Sequence, residues 1–346
     1  MSARIAPRAD TAAVAVVIVN YRTPDLTRRC IAAVAKEREK LPLLRAVVVD
    51  GGSGDDSAAV LAEALAHPDY ADWVEFLPLP INGGFGWANN QAILTLARQE
   101  NPPEFIHVLN PDTEVMPGAV AALVADLQEH PACGAAGSLL IGSDGHPAAS
   151  AFRFPSPGRE FVSASQSEVL GRLLGIAPTV VDAKDCSEVD WVTGASVMFR
   201  ADALRETGLF DDGFFLYFEE VELIRRLHAA GWTVQHVPAS RVFHLEGAAT
   251  GLGAARPLPG YWYRSRLRYF ALTGGAAVAA AANLAWAAGR FAGMIKQAIG
   301  RFDNRTGAHL ADLLRSGLWP HREDRSPSVA MWGDPPGKPP AWMASK

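Results

Sequence analysis

The sequence predicts an α/β fold, a mostly parallel sheet covered by helices on both faces and followed by a helical extension. Three observations carry this. Up to about residue 245, short β-branched runs alternate with helix-like runs. The strand-like runs are apolar throughout instead of alternating, as strands buried on both faces are. Several of them stop at Asn or Asp, and in open α/β sheets the C-terminal edge of the strands is where ligands bind.

The elements follow in order. VAVVIVN (14–20) reads as a buried strand, and TPDLTRRCIAAVAKER reads as a helix with Thr23 as cap and Pro24 at its first position. RAVVVD (45–50) is a second strand, SAAVLAEALA a helix, WVEFLPL a third strand and GWANNQAILTLARQE a helix. FIHVLNPD is a fourth strand, which must stop at Pro111 because proline has no N–H for the ladder. PGAVAALVADLQEH is another helix. GAAGSLLI and VDWVTGASVMFR are further strands, and the polar stretch 142–189 between them reads as a loop-rich insertion on the acceptor side. EEVELIRRLHAAGW (219–232) is an amphipathic helix ending at Gly231, and TVQHVP a last short strand.

Beyond residue 255 the composition changes. YWYRSRLRYF is basic and aromatic, and residues 271–289 are uncharged but consist mostly of Ala and Gly. A packing helix, an interfacial helix and a membrane span all fit that stretch. Arg264, Arg266 and Arg268 suit either a solvated helix face or contact with anionic lipid or a lipid diphosphate. The end, with its paired prolines, reads as disordered. The expected organisation is a flexible N-terminus (1–12), a catalytic domain (13–255) with a nucleotide-binding half (13–115) and an acceptor half (116–255), a helical extension (256–320) and a disordered tail (321–346). Removal of residues 256–346 is expected to leave nucleotide binding intact.

Of the 346 residues, 49% are hydrophobic and 20% charged, which describes a globular chain with a sizeable core. A net charge of -5 argues against nucleic acid as a partner. Three cysteines far apart, with no CxxC, argue against a disulfide framework or zinc site and for a reducing compartment. The first apolar run is too short for a signal peptide.

Four stretches carry chemistry. Asp50 opens DGGSGDDS, where a carboxylate after the second strand either caps the turn or holds a ribose hydroxyl or base edge. NGGFGWANN (82–90) is a Gly-rich turn opening a helix; it offers N–H groups to phosphate or simply makes a tight turn. FDDGFFLYFEEVEL (210–223) sets Glu219 and Glu220 after an aromatic wall, and an acid beside apolar surface has a raised pKa suited to a general base. The two glutamates point different ways, so only one can do the chemistry. His244 ends a strand-like run, and with Asp112 it could complete an oxygen and nitrogen set for Mg²⁺ or Mn²⁺; a structural histidine is the other reading. No GxGxxG follows the first strand, which argues against a dehydrogenase.

Together, VVIVNYRTPDL, VVVDGGSGDDS, NGGFGWANN, LNPDTEV, the run VTGASVMFRADALRETGLFDDGFFLYFEEVELIRRLHAAGW and VFH resemble, in order, family 2 of the inverting glycosyltransferases, with the GT-A fold and especially its rhamnosyltransferase-like branch. The resemblance implies a nucleotide-sugar donor held by Asn20, Tyr21 and Asp50 at base and ribose, with Asn82, Gly83, Asn90 and Asn110 on the nucleotide and diphosphate side. It implies that Asp112, in an NPD variant of the DxD motif, and His244 bind Mg²⁺ or Mn²⁺. It places the base at Glu220, with Glu219 as the alternative because the usual pair is Glu-Asp, and puts Trp191, Gly194 and Arg264 on the acceptor and diphosphate side. Gly51 and Ser265 stand where the family often has Asn, so donor contacts are expected to differ. The implied donors are dTDP-rhamnose or a UDP-sugar. The implied acceptor is a glycan or lipid-linked saccharide of surface polysaccharide synthesis, with the enzyme in the cytoplasm or peripheral on the inner membrane face. A nucleotidyltransferase would need a basic Gly-rich loop after the first strand, which NYRTPDL does not supply. A non-catalytic binder would have lost Asp112 or both glutamates, and all are present.

Overall fold

Alternation along a single strand organises the molecule. In the computed structural model, which describes residues 11–182, 184–245, 258–298, 313, 317 and 319–344, every residue of β1 (Val14–Asn20) is buried. Val14, Val16 and Ile18 face one core with α1 (Pro24–Ala35), α2 (Ser57–Leu65) and α5 (Ala119–Glu129). Ala15, Val17 and Val19 face a second core with α4 (Phe85–Ala97), α8 (Ala201–Thr207) and α9 (Glu219–Ala229). Side chains on successive strand residues point to opposite faces, so a strand covered on both sides is apolar at every position.

β1 pairs in parallel with β2 (Arg45–Asp50) and β4 (Phe105–Leu109), and β3 (Val74–Pro78) continues beyond β2. Next to β4, β10 (Ser196–Arg200) runs antiparallel, and it is antiparallel to β6 (Cys133–Ile141) as well. β11 (Thr233–His244) is parallel to β6 and pairs antiparallel with the edge strand β5 (Thr113–Val115). β8 (Ser187–Glu188) adds to β11, while β7 (Ala151–Phe152) and β9 (Trp191–Val192) form a separate ribbon. The sheet is thus mixed and mostly parallel, as the alternation of runs predicts. A short α3 (Pro68–Ala71) precedes β3.

The stretch 142–189 is less loop-rich than its composition suggests. It contains α6 (Pro157–Ser165) and α7 (Glu168–Leu173). The Ser156 hydroxyl accepts from the Arg159 N–H at 3.3 Å and Pro157 occupies the first turn, so an N-cap signal was present in the sequence.

The C-terminal part differs most from expectation. α10 (Gly260–Ala298) is two helices joined at Gly275, whose φ of 73° breaks the run. One face packs on α6, and its small residues matter there: a Cβ at Gly289 would lie 2.3 Å from the Phe161 carbonyl oxygen. The Ala and Gly content therefore reflects close helix packing. The other face exposes Leu284, Phe291, Met294 and Ile295. Among the described residues it is the one helix long and apolar enough to cross a membrane by length and composition, with a third of its apolar window buried.

Arg266 and Arg268 do not form a solvated or lipid-facing strip with Arg264. Both are buried, Arg266 on Glu160 at 2.6 Å and Arg268 on Asp211 at 2.7 Å; Arg264 alone of the three is exposed. Here the docking of the helix carries two of the three arginines into the interior, where each requires a counter-charge.

The segment expected as a disordered tail instead lies along the α/β core. The Leu209 N–H donates to Ala330 O at 2.8 Å and the Asp212 N–H to Ser328 O at 2.9 Å. Trp87 Nε1 donates to Lys338 O at 2.8 Å, and the Gly337 N–H reaches Gln91 Oε1 at 2.5 Å. The segment is thus a strap held by hydrogen bonds to the core. The expected flexible N-terminus falls, for residues 1–10, outside the described residues, as do 299–312 of the extension.

Candidate active site

The parallel register of β1 and β2 sets Asn20 level with Asp50 at the C-terminal edge. Both are buried, and their side chains are bonded to each other. Asn20 Nδ2 donates to Asp50 Oδ1 at 2.8 Å, and Asp50 also accepts from the Ser53 hydroxyl at 2.6 Å and the Ser53 N–H at 3.0 Å. Thr27 Oγ1 donates to Asn20 Oδ1 at 3.0 Å. These residues are a rigid floor that fixes the loops after both strands.

Above this floor lies a cavity of about 370 Å³ walled by Tyr21, Gly51, Asn82, Gly84, Asn110, Phe215 and Tyr261, among others. Gly84 is required there. Its φ is 92°, and a Cβ would stand 2.2 Å from the Phe215 carbonyl oxygen, which accepts from the Phe85 N–H at 2.9 Å. The strap stacks Trp342 edge-on to Phe215, and Ser265 donates to Leu216 O at 2.8 Å. Phe215 and Tyr261 give this wall its aromatic character. Neither was singled out from sequence, because they lie 46 residues apart and meet only through the packing of α10.

Successive residues of the same loop wall a second cavity. Tyr217 and Phe218 both have left-handed backbones, φ 70° and 68°. Two adjacent bulky residues in that region are strained by about 1 kcal/mol or more each. Tyr217 stacks on Tyr261, and Phe218 packs against Trp262 and Tyr269, which hold the strain in place. The turn aims the first residues of α9. Glu219 goes into the protein, 2% exposed, next to Gly86. Glu220 lines a cavity of about 360 Å³ with Arg159, Trp191, Tyr217, Phe218 and Trp262. Burial pushes the Glu220 carboxyl up from its ordinary value, opposed by backbone N–H groups including that of Gly194. Burial, with the neighbouring Glu220 second, pushes Glu219 up further. Trp191 is fixed by stacking on Phe152 at 4.2 Å and donates to Arg153 O at 3.0 Å.

Asn110 ties the two cavities together. It lines the first, and its N–H donates to Ala195 O at 3.0 Å, one residue from Gly194 beside Glu220. Pro111 lines the first cavity and also the small recess that holds Asp112. There His244 Nε2 lies 3.4 Å from Asp112 Oδ1, because β11 and β5 pair His244 with Thr113. His244 Nδ1 is buried and has no hydrogen-bond partner among the described residues. Among the described residues, no cluster of three or more His, Cys, Asp or Glu forms.

Three expected positions fall elsewhere. Asn90 is wholly buried; its amide donates to Phe210 O at 2.9 Å and to Asp212 at 2.7 Å, so it anchors the 210–212 turn away from the cavity. Gly83 packs beside Trp87, and the neighbouring Gly84 is the wall residue. Arg264 lines neither cavity, and Arg159 is the arginine beside Glu220.

A mixed, mostly parallel sheet flanked by helices, with a nucleotide-sized cavity at its strand ends and a carboxylate-bearing cavity beside it, is the architecture of a GT-A glycosyltransferase. Residues 15–159 match the model of Glycosyl transferase family 2, and the chain is a glycosyltransferase that carries that domain. It is 28% identical over 280 residues to N-acetylglucosaminyl-diphospho-decaprenol L-rhamnosyltransferase of Mycobacterium tuberculosis, a match covering 73% of this chain and 87% of that one. In fold it is similar to a mannosyltransferase of Pyrobaculum calidifontis in complex with GDP-Man and Mn²⁺ (TM-score 0.53, 15% identity, 86% of this chain and 79% of that one). It is also similar to GalNAc-T7 with UDP, GalNAc and Mn²⁺ (TM-score 0.54, 18% identity); that match covers 75% of this chain but spans about half of the other, 48%.

Proposed function

We propose that the protein transfers a sugar, rhamnose from dTDP-rhamnose, to a lipid-linked saccharide acceptor with inversion at the anomeric carbon, at the cytoplasmic face of a membrane. The observation that carries this is one aromatic loop walling two cavities, with Glu220 on the far side from the nucleotide cavity. The likeness to a rhamnosyltransferase named for a diphospho-decaprenol acceptor supports the donor and acceptor classes.

Tyr21, Asn82 and Asn110 bind the nucleotide diphosphate, on the floor made by Asn20 and Asp50. Asp112 and His244 offer an oxygen and a nitrogen at the cavity's edge, and a site with few protein ligands suits an ion that takes its remaining ligands from substrate phosphates. A divalent ion held there, Mg²⁺ or Mn²⁺, would neutralise charge on the departing diphosphate. Glu220 accepts the proton of the acceptor hydroxyl, whose oxygen attacks the anomeric carbon from the side opposite the nucleotide. The proton stays on the Glu220 carboxyl, the bond to the diphosphate breaks, and one displacement inverts the centre. A base whose pKa is raised toward the working pH drives that transfer better than an ordinary glutamate.

A thermal-shift panel of dTDP-, UDP- and GDP-sugars, each with and without Mn²⁺, tests the reading. A Mn²⁺-dependent rise in Tm with dTDP-rhamnose is expected. No shift with any nucleotide sugar would overturn it.

A further inference from the structure

The Glu220 cavity does not end at Glu220. Arg159, Ser163, Thr179 and Val180 wall it and also wall a groove of about 620 Å³ that runs along α6 and α7. Three kinds of chemistry therefore follow one another along a continuous depression. A buried carboxylate comes first. A guanidinium comes next: Arg159 spends Nη1 on Phe154 O at 2.9 Å and Nε on Ala177 O at 3.3 Å, both neutral acceptors. No carboxylate among the described residues pairs with it; the adjacent Glu160 is taken by the buried Arg266 at 2.6 Å. Beyond the shared wall the groove's apolar lining is Val162, Ile176, Ala177 and Pro178, continuous with Val180, which is 47% exposed. The groove's own charged pair, Arg172 and Glu168, is satisfied internally at 3.3 Å.

We propose that this groove takes the isoprenoid diphosphate part of the acceptor, with Arg159 on the diphosphate and Val162, Ile176, Pro178 and Val180 on the first isoprene units. The proposal rests on the reading that the acceptor hydroxyl sits at Glu220. The order of groups along the groove is the order along such an acceptor: hydroxyl, anion, hydrocarbon. A guanidinium that lacks a counter-ion and keeps N–H groups toward a cavity is matched by a phosphate's geometry and charge. Val162, Ile176, Pro178 and Val180 form an apolar lining that a hydrocarbon would cover.

The test is calorimetric titration of the full-length protein with farnesyl diphosphate, with inorganic diphosphate and farnesol as the other arms, repeated in saturating UDP. Farnesyl diphosphate is expected to bind with UDP present. Arg159→Gln should weaken it at least tenfold, and Arg159→Lys should recover part of the loss. Val180→Ser, at a groove position 47% exposed, should weaken farnesyl diphosphate severalfold and leave inorganic diphosphate unchanged. Displacement by UDP, equal binding to Arg159→Gln, or no binding would overturn the groove assignment. Because this titration needs no transfer, its failure is distinct from failure of the transferase reading, which the donor panel tests separately.

Discussion

Glu220, the proposed base, is one methylene longer than aspartate, and its surroundings show how the side chain is accommodated. The left-handed pair before α9 and the bare backbone of Gly194 leave room for its carboxyl, while Glu219 lines neither cavity. Glu220→Gln is expected to lower kcat by about 10²–10⁴-fold with the donor's thermal shift intact. An unchanged rate would move the base elsewhere. The sign of the pH dependence follows from the raised pKa: the base works deprotonated, so kcat climbs as pH rises through that elevated value, and the Gln variant loses the limb. Asp212 is another raised carboxyl, pushed up to about 7 by burial. Between the unfolded value of about 3.9 and 7, the folded protein holds the extra proton, so this group's contribution to stability falls as pH rises across that window. Asp212→Asn should flatten the urea midpoint between pH 5 and pH 7; a profile identical to the parent would refute the burial argument.

At the scale of elements, the turn before α4 and the front of α10 hold the donor cavity's wall. Gly84→Ala combines a left-handed backbone with a clash against Phe215, so a loss of about 1–3 kcal/mol in stability is expected from the backbone strain alone, together with a raised donor KM. Denaturant unfolding and donor titration of the variant check both. Arg268 is the other pivot. It joins α10 to the buried Asp211, and it donates to Glu323 O at 2.7 Å and Ser326 O at 2.9 Å in the strap. Arg268→Leu strands a buried carboxylate and should cost about 3–5 kcal/mol. A Tm within a degree of the parent would show that solvent reaches Asp211.

At the scale of the whole molecule, the strap lies against elements that wall the cavity proposed for the donor. The strap joins α4, the 209–212 turn and Phe215, all of which support the donor cavity. Removal of residues 319–346 is expected to raise donor KM severalfold and to lower Tm, read by donor titration and calorimetry; a truncated chain with parental donor affinity would make the strap merely decorative. Removal from residue 256 goes further and strips Tyr261 from the cavity, so nucleotide binding should not survive it intact, contrary to what composition suggests.

The sequence by itself determined the sheet and the polar groups along its edge. Both rest on local rules: continuous apolar runs for doubly covered strands, and Asn20, Asp50 and Pro111 stopping them at one end. It also determined that a carboxylate would follow an aromatic wall. Which neighbours those residues have was decided only by tertiary structure. Asn90 reads as a diphosphate ligand until the 210–212 turn packs over it. Arg264, Arg266 and Arg268 look equivalent until α10 docks and buries two of them on partners more than 50 residues away in sequence. The proline-rich end reads as disorder because its hydrogen-bonding partners belong to α4 and the turn before α9, and no local pattern encodes a partner hundreds of residues distant. The physical reason is common to all three. Strand and turn preferences act between near neighbours in the chain, whereas charge pairing, cavity walls and backbone satisfaction depend on whatever surface the fold brings into contact.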